Sequence, residues 1–397
     1  MALVLIMVGL PARGKTYMAR KIARYLQWHG HQARVFNVGN YRRQRLGAQQ
    51  PHSFFDPDNP EGLTARKALA RAALDDVCQW LAEGGEVAIY DATNITRARR
   101  GWVQEAIERA GHEPVFLESI CNDAQLIASN VRQTKLRSPD YLDTTADEAI
   151  RDFNARIQHY ERCYETVDNP TSAVIRITDA GKQVEARNIE GHLVTRIVFF
   201  LMNLQIEPRR LFFLRHGESL FNVSGQLGGD SALSPRGVAF AARLPQLLQE
   251  RLGDVTPEVW TSSLQRTQQT AAHLPYPSRA WKALDEIEAG ACDGMTYEEV
   301  AAQFPDEFAA RAADKLNYRY PRGESYRDVM KRLDPVILEL ERASHPVVVI
   351  AHNAVIRCLQ AWFTGCALAE APHLEVPLHT IFEVTPIAYG VEEKRWA

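Results

Sequence analysis

Two groups of residues in this chain have the types and spacing needed to handle phosphoryl groups. Gly9-Leu10-Pro11-Ala12-Arg13-Gly14-Lys15-Thr16 satisfies G-x-x-x-x-G-K-[ST] in full, after an apolar run and ahead of a helical pattern. Such a loop wraps backbone N–H groups and a helix N-terminus around nucleotide phosphates. Lys15 would reach the β- and γ-phosphates and Thr16 would ligate Mg²⁺, which predicts ATP and Mg²⁺ as cofactors of this half. The motif alone does not separate kinases from hydrolytic switches. Further on, Glu86–Asp91 reads as an apolar strand ending in an acid. Ligands of open α/β sheets lie at the carboxyl ends of strands, so Asp91 should face the phosphates. There it could hold Mg²⁺, orient an acceptor hydroxyl or take its proton; a helix N-cap is the plainer alternative. Arg42, Arg43, Arg66, Lys67, Arg97, Arg99, Arg100 and Lys135 stand in polar settings, several after strand ends. If they converge, the acceptor itself is phosphorylated.

The second group begins with Leu214-Arg215-His216-Gly217-Glu218, directly after an apolar run. A histidine at a strand end can present a ring nitrogen to a phosphoryl group, and a covalent phosphohistidine splits one hard displacement into two easier ones. Arg215 would neutralise phosphate oxygens and Gly217 lets the backbone approach. His352 ends the strand pattern Pro346–Ala351, and Arg266 follows another strand end in Thr261-Ser262-Ser263-Leu264-Gln265-Arg266-Thr267. Two histidines and two arginines so placed could clamp a transferring PO₃. Glu286 and Glu288 are candidates for the acid that protonates a leaving alcohol.

Parallel sheets must position both groups. Candidate strands in the first half are Leu3–Val8, Arg34–Val38, Val87–Tyr90, Pro114–Glu118 and Val174–Ile177. They alternate with helical stretches at 15–28, 64–83, 97–110, 146–166 and 184–204. Strands that are apolar throughout, separated by helices, imply α/β architecture with a parallel sheet covered on both faces. A second α/β series runs through 211–214, 259–261, a helical stretch 324–344, then 347–351 and 381–384. The pattern breaks at Pro208, so two domains are expected, 1–207 and 208–397. The chain has 397 residues, 46 Lys+Arg against 49 Asp+Glu and a net charge of −3, which argues against a nucleic-acid or membrane-surface partner. Six scattered cysteines without zinc spacing suit a cytoplasmic protein with reduced thiols. The apolar start leads straight into the loop and reads as a strand rather than a signal peptide.

These motifs together are similar to a known family. The loop at 9–16, Phe36-Asn37-Val38-Gly39 with Tyr41-Arg42-Arg43, Asp91-Ala92-Thr93-Asn94 and Ser138-Pro139-Asp140-Tyr141 resemble 6-phosphofructo-2-kinase. The Leu-Arg-His-Gly-Glu segment, Thr261–Thr267, Arg319-Tyr320-Pro321 with Gly323-Glu324-Ser325-Tyr326, and Pro377-Leu378-His379-Thr380 resemble fructose-2,6-bisphosphatase. The resemblance implies a P-loop kinase domain fused to a phosphoglycerate-mutase-like histidine phosphatase domain, both active. By this resemblance Gly9, Gly14, Lys15, Thr16 and Asn130 would serve ATP, with Thr16 and Asp91 on Mg²⁺. Asp91 would be catalytic and Cys121 would line the site. Arg42, Arg66, Thr93, Arg99, Lys135, Arg156 and Tyr160 would hold fructose 6-phosphate. In the other half His216 would be the nucleophile and Glu286 the acid/base. Arg215, Asn222, Arg266 and His352 would stabilise the phosphoryl group. Tyr297, Arg311, Lys315, Tyr326, Asn353, Arg357 and Tyr389 would grip the sugar phosphate, with no cofactor in this half.

Asn353 stands where the family usually carries Gln, which would shorten a substrate contact, and Asn40 where an acid or Gln is usual. Neither a regulatory N-terminal extension nor a phosphorylatable tail is expected, nor a dimer that depends on one; a homodimer of another kind stays open. Two other readings remain at this stage: a kinase of another phosphorylated metabolite fused to a general phosphatase, and a non-catalytic sensor of nucleotide or sugar phosphate.

Overall fold

The computed structural model describes residues 1–135, 139–141, 144–205, 209–387 and 390–396. The chain divides into two compact units, Met1–Ile206 and Glu207–Ala397. The first contains strands β1 (Leu3–Val8), β2 (Ala33–Asn37), β3 (Val87–Asp91), β4 (Glu113–Ile120), β5 (Val174–Thr178) and β6 (Gln183–Arg187). Its helices are α1 (Lys15–Trp28), α2 (Val38–Leu46), α3 (Pro60–Ala82), α4 (Arg97–Arg109), α5 (Ala124–Lys135), α6 (Ala146–Glu161) and α7 (His192–Met202). The sheet order is β2-β3-β1-β4-β5-β6, parallel from β2 to β5. Every residue of β1 and β3 is buried, because both faces are covered. Val4, Ile6 and Val8 pack on Ala73, Leu74 and Val77 of α3 and Val103 and Ile107 of α4. Helix α1 lies against β1, β2, β3 and α7.

The structure corrects two helical expectations here. Residues 184–204 do not form one helix: Gln183–Arg187 is an edge strand antiparallel to β5. The chain turns into it through Asp179, Ala180 and Gly181, all at positive φ, and α7 starts only after Gly191. The Gln-Val-Glu-Ala-Arg pattern, polar on its exposed side, suits a sheet edge as well as a helix. Helix α3 begins at Pro60 rather than at 64, because the Asn59 side chain caps Gly62 and proline suits the first turn.

The second unit contains β7 (Leu211–Arg215), β8 (Glu258–Thr261), β9 (Ser278–Ala280), β10 (Val347–Ala351), β11 (Ile381–Ile387) and β12 (Gly390–Trp396). With them come α8 (Leu220–Ser224), α9 (Pro235–Leu252), α10 (Gln265–Ala271), α11 (Tyr297–Gln303), α12 (Pro305–Ala313), α13 (Tyr326–Arg332), α14 (Asp334–Arg342) and α15 (Asn353–Thr364). The order is β12-β11-β7-β10-β8-β9; β11 runs antiparallel to β7, and β12 to β11. Phe212 and Leu214 pack under Phe240, Leu244 and Leu248 of α9, while Phe213 meets Phe363 of α15 on the other face. The stretch 324–344, read as one helix, is two. Pro335 cannot donate to a preceding turn and its ring clashes there, so the helix breaks at Leu333. Among the described residues, no helix is long and apolar enough to cross a membrane.

Candidate active sites

Both groups of residues sit at the carboxyl ends of parallel strands, and pairing between strands decides which side chains meet. In the first unit β1 feeds the loop 9–14. Gly9 has φ 136°, and a Cβ there would lie 2.4 Å from the Ser119 carbonyl oxygen, so only glycine fits. Gly14, in the left-handed region, turns the chain into α1. The Gly9 N–H is tied to Thr93 O at 2.9 Å, Ser119 Oγ donates to Arg13 O, and Asn130 Nδ2 donates to Ala12 O at 3.2 Å. Lys15 is buried, its Nζ 2.6 Å from Leu10 O, and burial pushes its pKa down to about 8.

Asn37 and Asp91 are register partners at the ends of β2 and β3. The buried Asp91 carboxylate accepts from Thr16 Oγ1 at 2.8 Å and from Asn37 Nδ2, yet burial still holds its pKa above the usual carboxylate range. Asn37 also caps α2 through Asn40 N, so one side chain fixes both the acid and the helix that carries Arg42. Cys121 is buried, its thiol pushed up by burial and 3.9 Å from Asp123 O; it lines the loop as a protonated thiol.

A cationic cluster forms around Asp140. Arg42 Nη2 donates to both of its oxygens at 2.7 Å, Arg43 Nε to one at 2.9 Å, and Arg156 Nη1 stands 3.9 Å away. Burial alone would push Asp140 up, but the arginines outweigh it and hold its carboxyl below the usual range. Arg42 and Arg156 are buried, stacked over Phe55 at 5.4 and 4.3 Å, and Arg42 Nη1 has no partner. Arg156 Nε also meets Asp152 at 2.9 Å. Arg66 spends its N–H groups on the carbonyls of Gly62, Phe55 and Asp56, and Tyr160 packs 6.2 Å from Phe55. Arg99 lies over Trp102 with its Nε buried and unpartnered.

Other cations of the sequence reading go elsewhere. Arg97 pairs with Asp168 at the surface, Arg100 is buried among four backbone carbonyls, and Lys67 is exposed. The Lys135 side chain lies outside the described residues. Sequence reasoning gave Asn37, Asp140 and Asp152 no role; Asn37 and Asp140 stood in quoted motifs, Asp152 in none, and Arg43 was among the expected cations.

In the second unit Arg215 and Ala351 are register partners, so the residues that follow, His216 and His352, emerge side by side with ring centroids 5.1 Å apart. His216 Nδ1 lies 2.7 Å from Gly217 O, where it must carry the proton. Nε2 accepts from Arg266 Nε at 3.2 Å. Burial, then the positive charge of Arg266, pushes this histidine down to about 3: a neutral ring whose Nε2 carries a lone pair directed at Arg266. Gly217 and Gly237 touch back to back; a Cβ on Gly237 would meet Glu218 O at 2.1 Å. Burial likewise holds His352 well below its ordinary value. Arg215 is held to Val376 O at 3.1 Å and leaves Nε buried without a partner.

Glu286 accepts from the N–H groups of Asn353 and Ala354 at 3.1 and 3.2 Å, so its carboxylate sits at the N-terminus of α15 beside His352. Glu288 is exposed, and its backbone N–H donates to a Glu324 carboxylate oxygen at 3.1 Å. Asn222 is exposed, its Oδ1 caps Ser219 N, and Asn353 Oδ1 is buried without a partner.

Nearby lies a second group of cations without carboxylates. Arg311 donates to Tyr320 and Tyr297 hydroxyls at 2.7 and 2.9 Å. Arg357 donates to Leu374 O and the Tyr326 hydroxyl, and Lys315 to Pro372 O at 2.8 Å. Burial, then Arg357 and Arg311, pushes Lys315 down to about 8, and burial pushes the Tyr326 hydroxyl up. Such a set awaits a multiply charged anion. Tyr389 lies outside the described residues. Ser262, Tyr320 and His379, whose Nε2 accepts from Glu218 N, complete the surroundings without having been singled out.

Comparison with known proteins adds the following. A family model described as 6-phosphofructo-2-kinase matches residues 1–208, and one described as histidine phosphatase superfamily (branch 1) matches 211–397. The chain is 48% identical over 392 residues to 6-phosphofructo-2-kinase/fructose-2,6-bisphosphatase 4 of Rattus norvegicus, covering 98% of this chain and 83% of that protein. It is 48% identical over 399 residues to 6-phosphofructo-2-kinase/fructose-2,6-bisphosphatase of Arabidopsis thaliana, covering 99% of this chain and 54% of that protein. With 6-phosphofructo-2-kinase/fructose-2,6-bisphosphatase 1 of Homo sapiens the identity is 47% over 391 residues, 98% and 82% of the two chains.

Proposed function

The chain belongs to the 6-phosphofructo-2-kinase/fructose-2,6-bisphosphatase family, and on that premise we propose how its two sites divide the work, with the boundary between residues 207 and 208. The enzyme is bifunctional. One half moves the γ-phosphoryl group of ATP to the 2-hydroxyl of fructose 6-phosphate; the other hydrolyses fructose 2,6-bisphosphate to fructose 6-phosphate and phosphate. The observation that carries the division is the two clusters, around Arg42 and around Lys315, whose cations outnumber the carboxylates bonded to them. Each suits a sugar phosphate.

In the kinase half the triphosphate lies along Gly9–Thr16, with Asn130 holding the loop and Lys15 on the β- and γ-phosphates. Thr16 and Asp91 offer hard oxygen donors 2.8 Å apart, which fits a divalent cation such as Mg²⁺. When bound, it neutralises phosphate charge. Arg42, Arg66, Thr93, Arg99, Lys135, Arg156 and Tyr160 hold fructose 6-phosphate, and Cys121 lines the loop. Asp91 orients the 2-hydroxyl and receives its proton, a task eased by a carboxyl that burial has already made more basic.

In the phosphatase half His216 Nε2 attacks the 2-phosphoryl group, while Arg215, Asn222, Arg266 and His352 bind its oxygens. Glu286 protonates the leaving 2-oxygen and then takes a proton from the water that attacks the phosphohistidine. Arg311, Lys315 and Arg357, with Tyr297, Tyr326, Asn353 and Tyr389, hold the remaining sugar phosphate, and no cofactor takes part. We place the enzyme in the cytoplasm, in keeping with six free thiols.

Product analysis with Mg-ATP and fructose 6-phosphate tests the scheme. The His216→Ala variant should accumulate an acid-labile sugar 2-phosphate that wild type largely removes. If labelled phosphate still appeared on the variant protein, the nucleophile would be wrong; no sugar bisphosphate from either form would point to another acceptor.

A further inference from the structure

Ser262 follows β8 and is fully buried, with its Oγ 2.8 Å from His352 Nε2. The same oxygen accepts from Leu264 N at 3.1 Å and lies 2.9 Å from Thr267 Oγ1. Thr267 has two carbonyl acceptors for its own proton, Leu264 O at 2.8 Å and Ser262 O at 3.2 Å. Thr267 Oγ1 can equally donate across its 2.9 Å contact to Ser262 Oγ, and in that arrangement the Ser262 hydroxyl proton goes to the imidazole. The other ring nitrogen, His352 Nδ1, is buried and has no partner among the described residues.

Burial, and then the positive charges of Arg266, Arg215 and Arg332, which face this ring with the neutral His216, keep it neutral. The neighbouring carboxylate of Glu286 is engaged with the N–H groups of Asn353 and Ala354. A neutral imidazole has one proton to place. On Nε2 it would leave a lone pair at Nδ1, which repels a phosphoryl oxygen; on Nδ1 it makes a donor in a site with little water.

We propose that Ser262 is a positioning residue of the phosphatase reaction: by donating to Nε2 it holds the neutral His352 as the Nδ1–H tautomer, leaving a buried donor for the transferring phosphoryl group. The serine also accepts from Nε2–H when the ring is protonated, so Nδ1 presents a proton in either state. This rests on the reading of His216 as the phosphorylated residue.

The test uses the full chain with ¹⁵N-labelled histidine, wild type and Ser262→Ala, with His352 assigned through a His352→Gln sample. Ring-nitrogen spectra of wild type should show Nδ1 protonated and Nε2 bare, and the variant should lose that preference. Labelled fructose 2,6-bisphosphate should phosphorylate the variant roughly tenfold more slowly at about pH 8, the worth of one charge-assisted hydrogen bond. Ser262→Thr, which keeps the hydroxyl, should restore the Nδ1–H signal and the wild-type rate, and an unchanged melting transition of the phosphatase unit reports intact folding. Wild-type spectra with the proton on Nε2, or a Ser262→Ala variant that loses rate while keeping the wild-type tautomer, would overturn the proposal. Absence of any phosphoenzyme in wild type would instead count against His216, with the tautomer still read from the spectra.

Discussion

Replacing Lys15 by methionine should remove kinase activity and at the same time stabilise the unliganded kinase unit. The side chain is 8% exposed and its Nζ bonds only Leu10 O at 2.6 Å among the contacts described. Holding it at about 8 instead of 10.5 corresponds to about 3 kcal/mol at 1.36 kcal/mol per pH unit, the cost of keeping the ammonium buried. Methionine keeps most of the apolar stem but leaves Leu10 O without its donor, which takes back about 1 kcal/mol. The net gain of about 2 kcal/mol should raise the melting temperature of a unit this size by roughly 4–8 °C at pH 7.

The gain has its own pH signature. Because the folded value lies below the unfolded one, the folded chain binds fewer protons between about 8 and 10.5, so wild-type stability climbs across that window. The variant lacks this group, so the difference should shrink to near zero by about pH 9.5. Calorimetry of both proteins at the two pH values, with and without Mg-ATP, supplies the answer: nucleotide should stabilise wild type strongly and the variant hardly at all. A variant less stable than wild type at pH 7, or a difference that ignores pH, would refute the account of Lys15 as a charge held in strain for its ligand.

Asp140→Asn removes the shared carboxylate of Arg42, Arg43 and Arg156 and leaves buried positive charge unbalanced, which should cost about 3–5 kcal/mol of stability. Fructose 6-phosphate should then raise the variant's melting temperature more than that of wild type; equal shifts would show that the arginines do not meet the ligand. Since burial and Arg266 hold His216 at about 3, its nucleophilic form persists as pH falls from 8 to 5. Phosphoenzyme formation should therefore not decline with a midpoint near the ordinary histidine value, and rapid-quench rates showing one would contradict the burial argument.

The sequence alone determined the elements whose signal is local. Apolar runs covered on both faces gave the central strands, glycine spacing gave the loop at 9–16, and Arg-His-Gly-Glu after a strand marked the second site. Local signals failed where polarity was ambiguous. The edge strand β6 is as polar as a surface helix, β12 carries Glu392, Glu393, Lys394 and Arg395 at an open sheet edge, and Pro335 breaks what the pattern drew as one helix.

Only the tertiary structure decided which charges meet. Arg42 and Asp140 are 98 residues apart in sequence, and Glu286 reaches the N-terminus of α15 across 67 residues. Arg97, Arg99 and Arg100 are near neighbours that end at the surface, over an aromatic ring and among carbonyls. A charged side chain looks the same in sequence whether it is solvated, structural or awaiting a ligand. What separates these fates is burial and the balance of opposite charge around it, and both are set by parts of the chain far away along the sequence.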